Sequence, residues 1–174
     1  MSSELTELAR LVMIRDAVDD AIAEVINRPA ERSHVGEFIA RRVFGITEPR
    51  SATRKGSDGE FTRGRLKGCT VNIKFYGKDD GVWDIRPYGS VDYYLVLTGA
   101  KSGAGSSRGT TRPLVIKHVF LMPENALKDA GVKPGSQSVK QGLRRDYQIY
   151  PSSGAKAVMT ITKKQREMIE RFAR

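Results

Sequence analysis

Asp58 and the tripeptide Asn72-Ile73-Lys74 offer an acid, an amide and an ammonium group within one short stretch of chain. Residues 69–76 alternate in character, with Cys69, Val71, Ile73 and Phe75 on one side of a strand and Thr70, Asn72, Lys74 and Tyr76 on the other. Asn72 and Lys74 therefore share a face. The run Gly64-Arg65-Leu66-Lys67-Gly68 reads as a turn, so a hairpin centred near Arg65 would lay Asp58-Gly59-Glu60-Phe61 antiparallel to residues 70–74. Asp58 then falls opposite Asn72, with Cβ atoms about 5 Å apart. Carboxylate and amide oxygens suit a hard cation such as Mg²⁺, which activates a water and neutralises charge growing on phosphorus. A lysine beside them can orient that water or steady the transition state. The chemistry these parts could perform is hydrolysis of a phosphodiester. The plainer reading gives Asp58 a turn-closing role and leaves Lys74 on a solvated strand face.

The elements around this pair are written in the spacing of the apolar residues. Leu11, Ile14, Val18, Ile22 and Val25 recur every three or four positions, which predicts an amphipathic helix that stops before Pro29. Ser33 is placed to cap a second helix, with Val35, Phe38, Ile39 and Val43 as its apolar face and Gly45 as its end. Residues 47–59 are polar and basic and read as an exposed loop. An Asp-Gly turn at Asp80-Gly81 leads into a short strand at 82–85, where Trp83 is expected to pack in the core or at a sheet edge, with base stacking as the alternative. Residues 91–97 are apolar on both faces apart from Asp92, the mark of a central strand, and 114–122 form another strand containing His118. Asp92 is either an outer ligand or a structural acid. The Gly/Ser-rich run 98–113 lacks a Gly-Lys-Ser/Thr sequence, so a nucleotide-binding P-loop is rejected. A short helix is expected at 124–130, and Thr162 with Gln165 three residues later marks the start of a last helix.

The order of these features resembles the restriction-endonuclease-like nucleases, whose signature is written PD-(D/E)XK. It runs from an amphipathic helix with Gly36-Glu37, through Asp58 in a Ser-Asp-Gly context, to the Asn-Ile-Lys strand and then an apolar strand. The resemblance implies an α/β fold with a mixed central β-sheet of four to five strands flanked by helices. It also implies Mg²⁺ or Mn²⁺ as cofactor and DNA cleavage as the activity. Carried over residue by residue, Asp58 takes the family's Asp, Asn72 the (D/E), Lys74 the Lys and Glu37 the helical Glu. Two positions depart from the pattern: Ser57 replaces Pro, and Asn72 supplies a neutral oxygen where a carboxylate is usual. Glu37 or Glu60, which shares a strand face with Asp58, could compensate. The alternative is a catalytically impaired module of the same fold that binds nucleic acid without cutting it.

A chain of 174 residues with 39% hydrophobic content suggests one domain. Within it, 1–30 form an N-terminal helix, 31–125 the nuclease-like core and 126–174 a C-terminal helical part. No apolar run approaches the ~20 residues of a membrane span. One cysteine, expected in the core, forbids an internal disulfide and fits a reducing cytoplasm. The net charge of +10 is uneven: residues 1–30 carry three arginines against six carboxylates, a net −3, so the remainder carries +13. Such a body points to a polyanionic partner, DNA ahead of RNA, with homodimerisation left open. Arg50, Arg54 and Lys55 in one loop and Arg108 and Arg112 in another are the residues expected to hold its backbone.

Overall fold

The strand carrying Asn72 and Lys74 lies inside a sheet covered on both faces. A computed structural model describes residues 3–48, 56–87, 89, 91–101 and 113–173. In it the strand, β3, spans Thr70–Tyr76. Val71 and Ile73 enter the main hydrophobic core, while Thr70 and Asn72 are buried on the opposite side. The remaining members of the sheet are β1 (Ile46–Thr47), β2 (Gly59–Phe61), β5 (Tyr93–Thr98), β6 (His118–Pro123) and β8 (Gln148–Tyr150). Their order is β1-β2-β3-β5-β6-β8, and every neighbouring pair is antiparallel except β3 with β5.

A parallel pair needs a crossover. Here it contains β4 (Val82–Ile85), which leaves the main sheet and joins β7 (Gly135–Ser138) in a two-stranded ribbon. Trp83 and Ile85 of that ribbon pack with Tyr94, Val96, Phe120 and Met122 in a second core. The fold is thus mixed α/β, with six strands in one sheet and two in another, more than the four to five expected. The C-terminal part is not simply helical, since it supplies β7 and β8 between the short helices α3 (Glu124–Asp129) and α4 (Gln141–Asp146) and the last helix, α5 (Lys163–Glu170). Its strands are short and largely polar, so their pairing depends on distant partners.

Asp92 locks the parallel register. Its Oδ2 accepts hydrogen bonds from the Thr70 backbone N–H at 2.7 Å and the Thr70 hydroxyl at 2.8 Å. These contacts favour the structural reading of that acid.

Helix α2 (Arg32–Phe44) covers the first face of β3 with Ile39, Ala40, Val43 and Phe44. Its N-cap is Glu31, without a side-chain cap bond, so the expected cap at Ser33 is corrected. The chain leaves Pro29 and Ala30 already aimed into the helix, and Ser33 falls within the first turn. Gly45 ends the helix in the left-handed region at φ 67° and donates to the Arg41 carbonyl, as a C-terminal glycine does.

Gly36 lets α2 approach β3 closely. A Cβ there would lie 2.4 Å from Phe75 Cβ. Gly36→Ala should therefore lower the melting temperature by several degrees. Overpacking costs about 1–3 kcal/mol, and alanine's better helix preference offsets only ~1 kcal/mol or less. A circular dichroism melt indistinguishable from wild type would show that the helix can back away freely.

At the end of α5's approach, Thr162 and Gln165 form the expected capping box, and Gln165 Nε2 donates to the Val43 carbonyl at 3.2 Å, tying α5 to α2. Cys69 is half-buried against the main core. Helix α1 (Ser3–Ile26) is amphipathic as expected but contributes only Ile26 to the buried set. No described helix is long and apolar enough to cross a membrane.

Candidate active site

The β2–β3 hairpin sets the spacing of the candidate groups. Gly59 pairs with Val71 and Glu60 with Thr70; the ladder ends there, and Asp58, the next position back, keeps to β3 by bonds to Val71 and Ile73. A short helical turn at Gly64–Leu66 closes the hairpin where the glycines predict it. Asp58 is then tied at three atoms. Its N–H donates to the Val71 carbonyl at 2.9 Å, its carbonyl accepts from Arg41 Nη2 at 2.9 Å, and its Oδ2 accepts from the Ile73 N–H at 2.7 Å. A carboxylate held this way has little rotamer entropy left to lose on binding.

Electrostatics single out the same residue. Burial pushes the Asp58 carboxyl above the ordinary carboxylate range, while the Ile73 N–H opposes the shift. The Glu37 charge adds to the rise, and Lys74 and Arg41 pull the other way. Three predicted residues thus share one electrostatic neighbourhood: Asp58, Lys74 and Glu37. Lys74 is partly exposed on β3, two positions beyond Asn72.

Asn72 adds a second oxygen. Its Nδ2 donates to the Gly56 carbonyl at 2.7 Å, which orients the amide, and its buried Oδ1 has no hydrogen-bond partner. Leaving a buried acceptor unsatisfied costs on the order of 1–3 kcal/mol. An acceptor in that condition is what a hard cation or its water would satisfy.

Glu37 is more constrained than the sequence indicates. Its Oε2 is 2.6 Å from Arg28 Nη1 and 3.8 Å from Arg41 Nη2, so Arg28 is its main partner and the i, i+4 arginine the weaker one. Glu60 is half-buried on β2 and paired with Thr70 and Thr47, farther along the hairpin from Lys74. Arg50, Arg54, Lys55, Arg108 and Arg112 lie outside the described residues.

The donor set fits a cation that keeps much of its own water. Mg²⁺ uses one or two carboxylates together with waters and substrate phosphate oxygens, and does not need an all-protein cage. Asp58 could supply one protein oxygen and the Asn72 Oδ1 another from the opposite side of β3, while Glu37, on α2 across the Val71–Ile73 face, acts on Asp58 through its charge. Among the described residues no group of three or more His, Cys, Asp or Glu side chains is placed to hold a metal.

Arg41 is the residue that sequence reasoning undervalued. It links α2 to the Asp58 backbone, reaches Glu48 at 2.9 Å and keeps a buried Nε without a partner. Its i, i+4 spacing from Glu37 was legible, but the contact with Asp58 depends on how α2 docks. A second polar cluster was also hidden. Buried Asp79 pairs with Arg144 of α4, and His118 Nδ1 lies 3.7 Å from its Oδ2. Burial holds the His118 imidazole below its ordinary pKa, with the Asp79 charge opposing. Arg144 also lies 6.0 Å from the centre of the Trp83 ring, so this cluster fastens the β4–β7 ribbon to the main sheet. Trp83 itself is buried, as expected.

No protein-family model and no curated protein matches this chain.

Proposed function

We propose that this chain is a metal-dependent nuclease that hydrolyses DNA phosphodiester bonds on a restriction-endonuclease-like fold. The observation that carries the reading is the partnerless, buried Asn72 Oδ1 on the strand that also presents Lys74 and whose Ile73 N–H holds the Asp58 carboxylate. Asp58 and Asn72 would hold Mg²⁺ or Mn²⁺, with Glu37 acting on Asp58 through its charge. Bound there, the ion would supply charge neutralisation at phosphorus and a more acidic water.

The chain's own residues do the rest. Asp58 must be ionised to serve as a ligand, and its fixed Oδ2 leaves Oδ1 for that task. Lys74 donates a charged hydrogen bond that orients the attacking water or stabilises the phosphoryl oxygens. Arg41 positions Asp58 by holding its carbonyl, and Arg28 with Arg41 sets the direction of Glu37. The basic residues Arg50, Arg54, Lys55, Arg108 and Arg112 grip the sugar-phosphate backbone, so binding weakens steeply with salt.

Nicking of supercoiled plasmid with Mg²⁺ or Mn²⁺ tests the assignment directly. Lys74→Ala should lower the cleavage rate by about 10²-fold or more, with much less effect on DNA affinity in a filter-binding titration. Equal cleavage by the variant and wild type would remove Lys74 from the chemistry.

The neutral Asn72 and the doubly paired Glu37 favour a second reading, a nuclease-fold module that binds nucleic acid without cutting it. Salt-sensitive binding with no cut under either metal would select that reading.

A further inference from the structure

We infer that α1 is a dimerisation helix that pairs antiparallel with α1 of a second copy and fills the apolar groove beside it. Nine large apolar side chains are exposed among the described residues, and eight of them belong to α1. They are 44% to 72% exposed, from Val12 at the low end to Met13 at the high end. A helix draws most of its stability from packing an amphipathic face, and a contiguous apolar surface of this extent marks an interaction site.

The groove lies where α1 meets the body. Its α1 wall runs from Ile14 to Ile26, and the facing wall includes Val35, Phe38 and Arg42 of α2 with Met168, Arg171 and Phe172. The N-terminal half of α1 extends beyond this groove and has the wider apolar face, built from Leu8, Leu11 and Val12 with Leu5. A face that broad can touch two walls at once. A twofold axis across the middle of α1 would bring the N-terminal half of each copy over the groove of the other, satisfying both halves together.

The spacing also selects the direction. Leu8, Leu11, Arg15, Val18, Ile22 and Val25 occupy the alternating three- and four-residue steps of a helix-pairing seam. Antiparallel pairing sets Leu8 against Val25 of the second copy, Leu11 against its Ile22 and Arg15 against its Val18. Arg15 then lies beside Asp19 of the second copy, the residue type it already bonds within its own helix at 3.2 Å. A parallel pair would instead place Arg15 against Arg15 in one layer, which like charge opposes.

Charge agrees along the rest of the contact. Glu4 and Glu7 flank the leucines, and Arg42 and Arg171 line the groove that would receive them. Of the 15 residues lining the groove, Ile26, Ile39 and Val43 are already buried; the rest and the eight exposed apolar residues together make 17 different residues with surface to cover, near the ~20 a side of the smaller stable interfaces.

Light scattering of the full chain during size-exclusion chromatography should give twice the 19.3 kDa chain mass. Leu8→Asp with Leu11→Asp should return it to the single-chain mass, with an unchanged far-ultraviolet circular dichroism spectrum, because both side chains are exposed in the single copy. In a Cys69→Ser background, Leu8→Cys with Val25→Cys should oxidise to a covalent dimer, and Leu11→Cys alone should not. These two positions are about 25 Å apart along one helix, so the bond can only join two copies. A single-chain mass for the wild type, a dimer that survives the aspartates, or cross-linking through Leu11→Cys would overturn the inference. None of these outcomes depends on nuclease activity.

Discussion

Asp58→Asn should abolish Mg²⁺-dependent cleavage and, in the same protein, raise the melting temperature at neutral pH. Both effects come from one property. Burial and the Glu37 charge hold the Asp58 carboxyl above the value of 3.8 that it would have in an unfolded chain. The folded state therefore binds the proton more tightly. No penalty exists below the unfolded value; the penalty grows as pH rises through the window up to the raised folded value, and it is complete above that. The folded chain bears it in full only where Asp58 is ionised.

Asparagine removes the charge but keeps an oxygen to accept from the Ile73 N–H, so the backbone tie survives. Each kcal/mol recovered is worth about 2–4 °C in a domain of this size. Cleavage should fall by about 10³-fold or more, because the variant loses the charged ligand. Mg²⁺ should raise the wild-type melting temperature and leave the variant unmoved, since only a ligand of the native state stabilises it. The wild-type rate should climb with pH as Asp58 ionises. Calorimetry over an acid-to-neutral series, with plasmid nicking on the same samples, checks all of this. A variant that melts lower than wild type at neutral pH, or still nicks DNA, would contradict the assignment.

Asn72→Asp is the second large effect, and its sign depends on metal. The Nδ2 bond to the Gly56 carbonyl disappears, and a carboxylate faces that carbonyl instead. Without metal the loss of a buried donor costs on the order of 1–3 kcal/mol, before any repulsion from Asp58 is added. The apo variant should melt several degrees lower.

With Mg²⁺ the same change adds a charged oxygen to the site, and affinity for hard cations rises with ligand charge. Titration calorimetry should show binding tighter by about tenfold or more, worth ~1.4 kcal/mol, and saturating Mg²⁺ should restore much of the lost melting temperature. If the variant is destabilised equally with and without Mg²⁺, Asn72 is a packing residue and the metal reading fails at that position.

Local chemistry explains which parts of the molecule were legible. The β2–β3 hairpin depends on a two-residue period and a turn flanked by Gly64 and Gly68, all within 19 residues of chain, so the antiparallel pairing of residues 59–60 with 70–71 was legible, whereas the departure of Asp58 from that ladder was not. Thr162 and Gln165 lie three positions apart, and their reciprocal cap needs nothing distant. Trp83, for which packing in the core or at a sheet edge is the expectation, lies in the second core.

Features that depend on docking were not legible. The Arg41 bond to the Asp58 carbonyl spans 17 positions and exists only once α2 lies across β3. Arg28 captures Glu37 from beyond the end of α1, which no helical spacing anticipates. The strand β8 is three residues long and gains its place by pairing with β6, while β7 pairs with β4 across 50 residues of chain. Periodicity announced the apolar stripe of α1 but could not say that its own body leaves it uncovered.

The double hydrogen bond from Thr70 to Asp92 carries an implication for how this chain can change. Because β3 has a different role on each side, shifting it by one position would carry Asn72 and Lys74 toward the packed hydrocarbon and turn Val71 and Ile73 toward the polar side. Insertions or deletions within β3 should therefore be tolerated only in even numbers. Selection for intact chemistry would act here as a parity filter on length, separate from the identity of any single side chain.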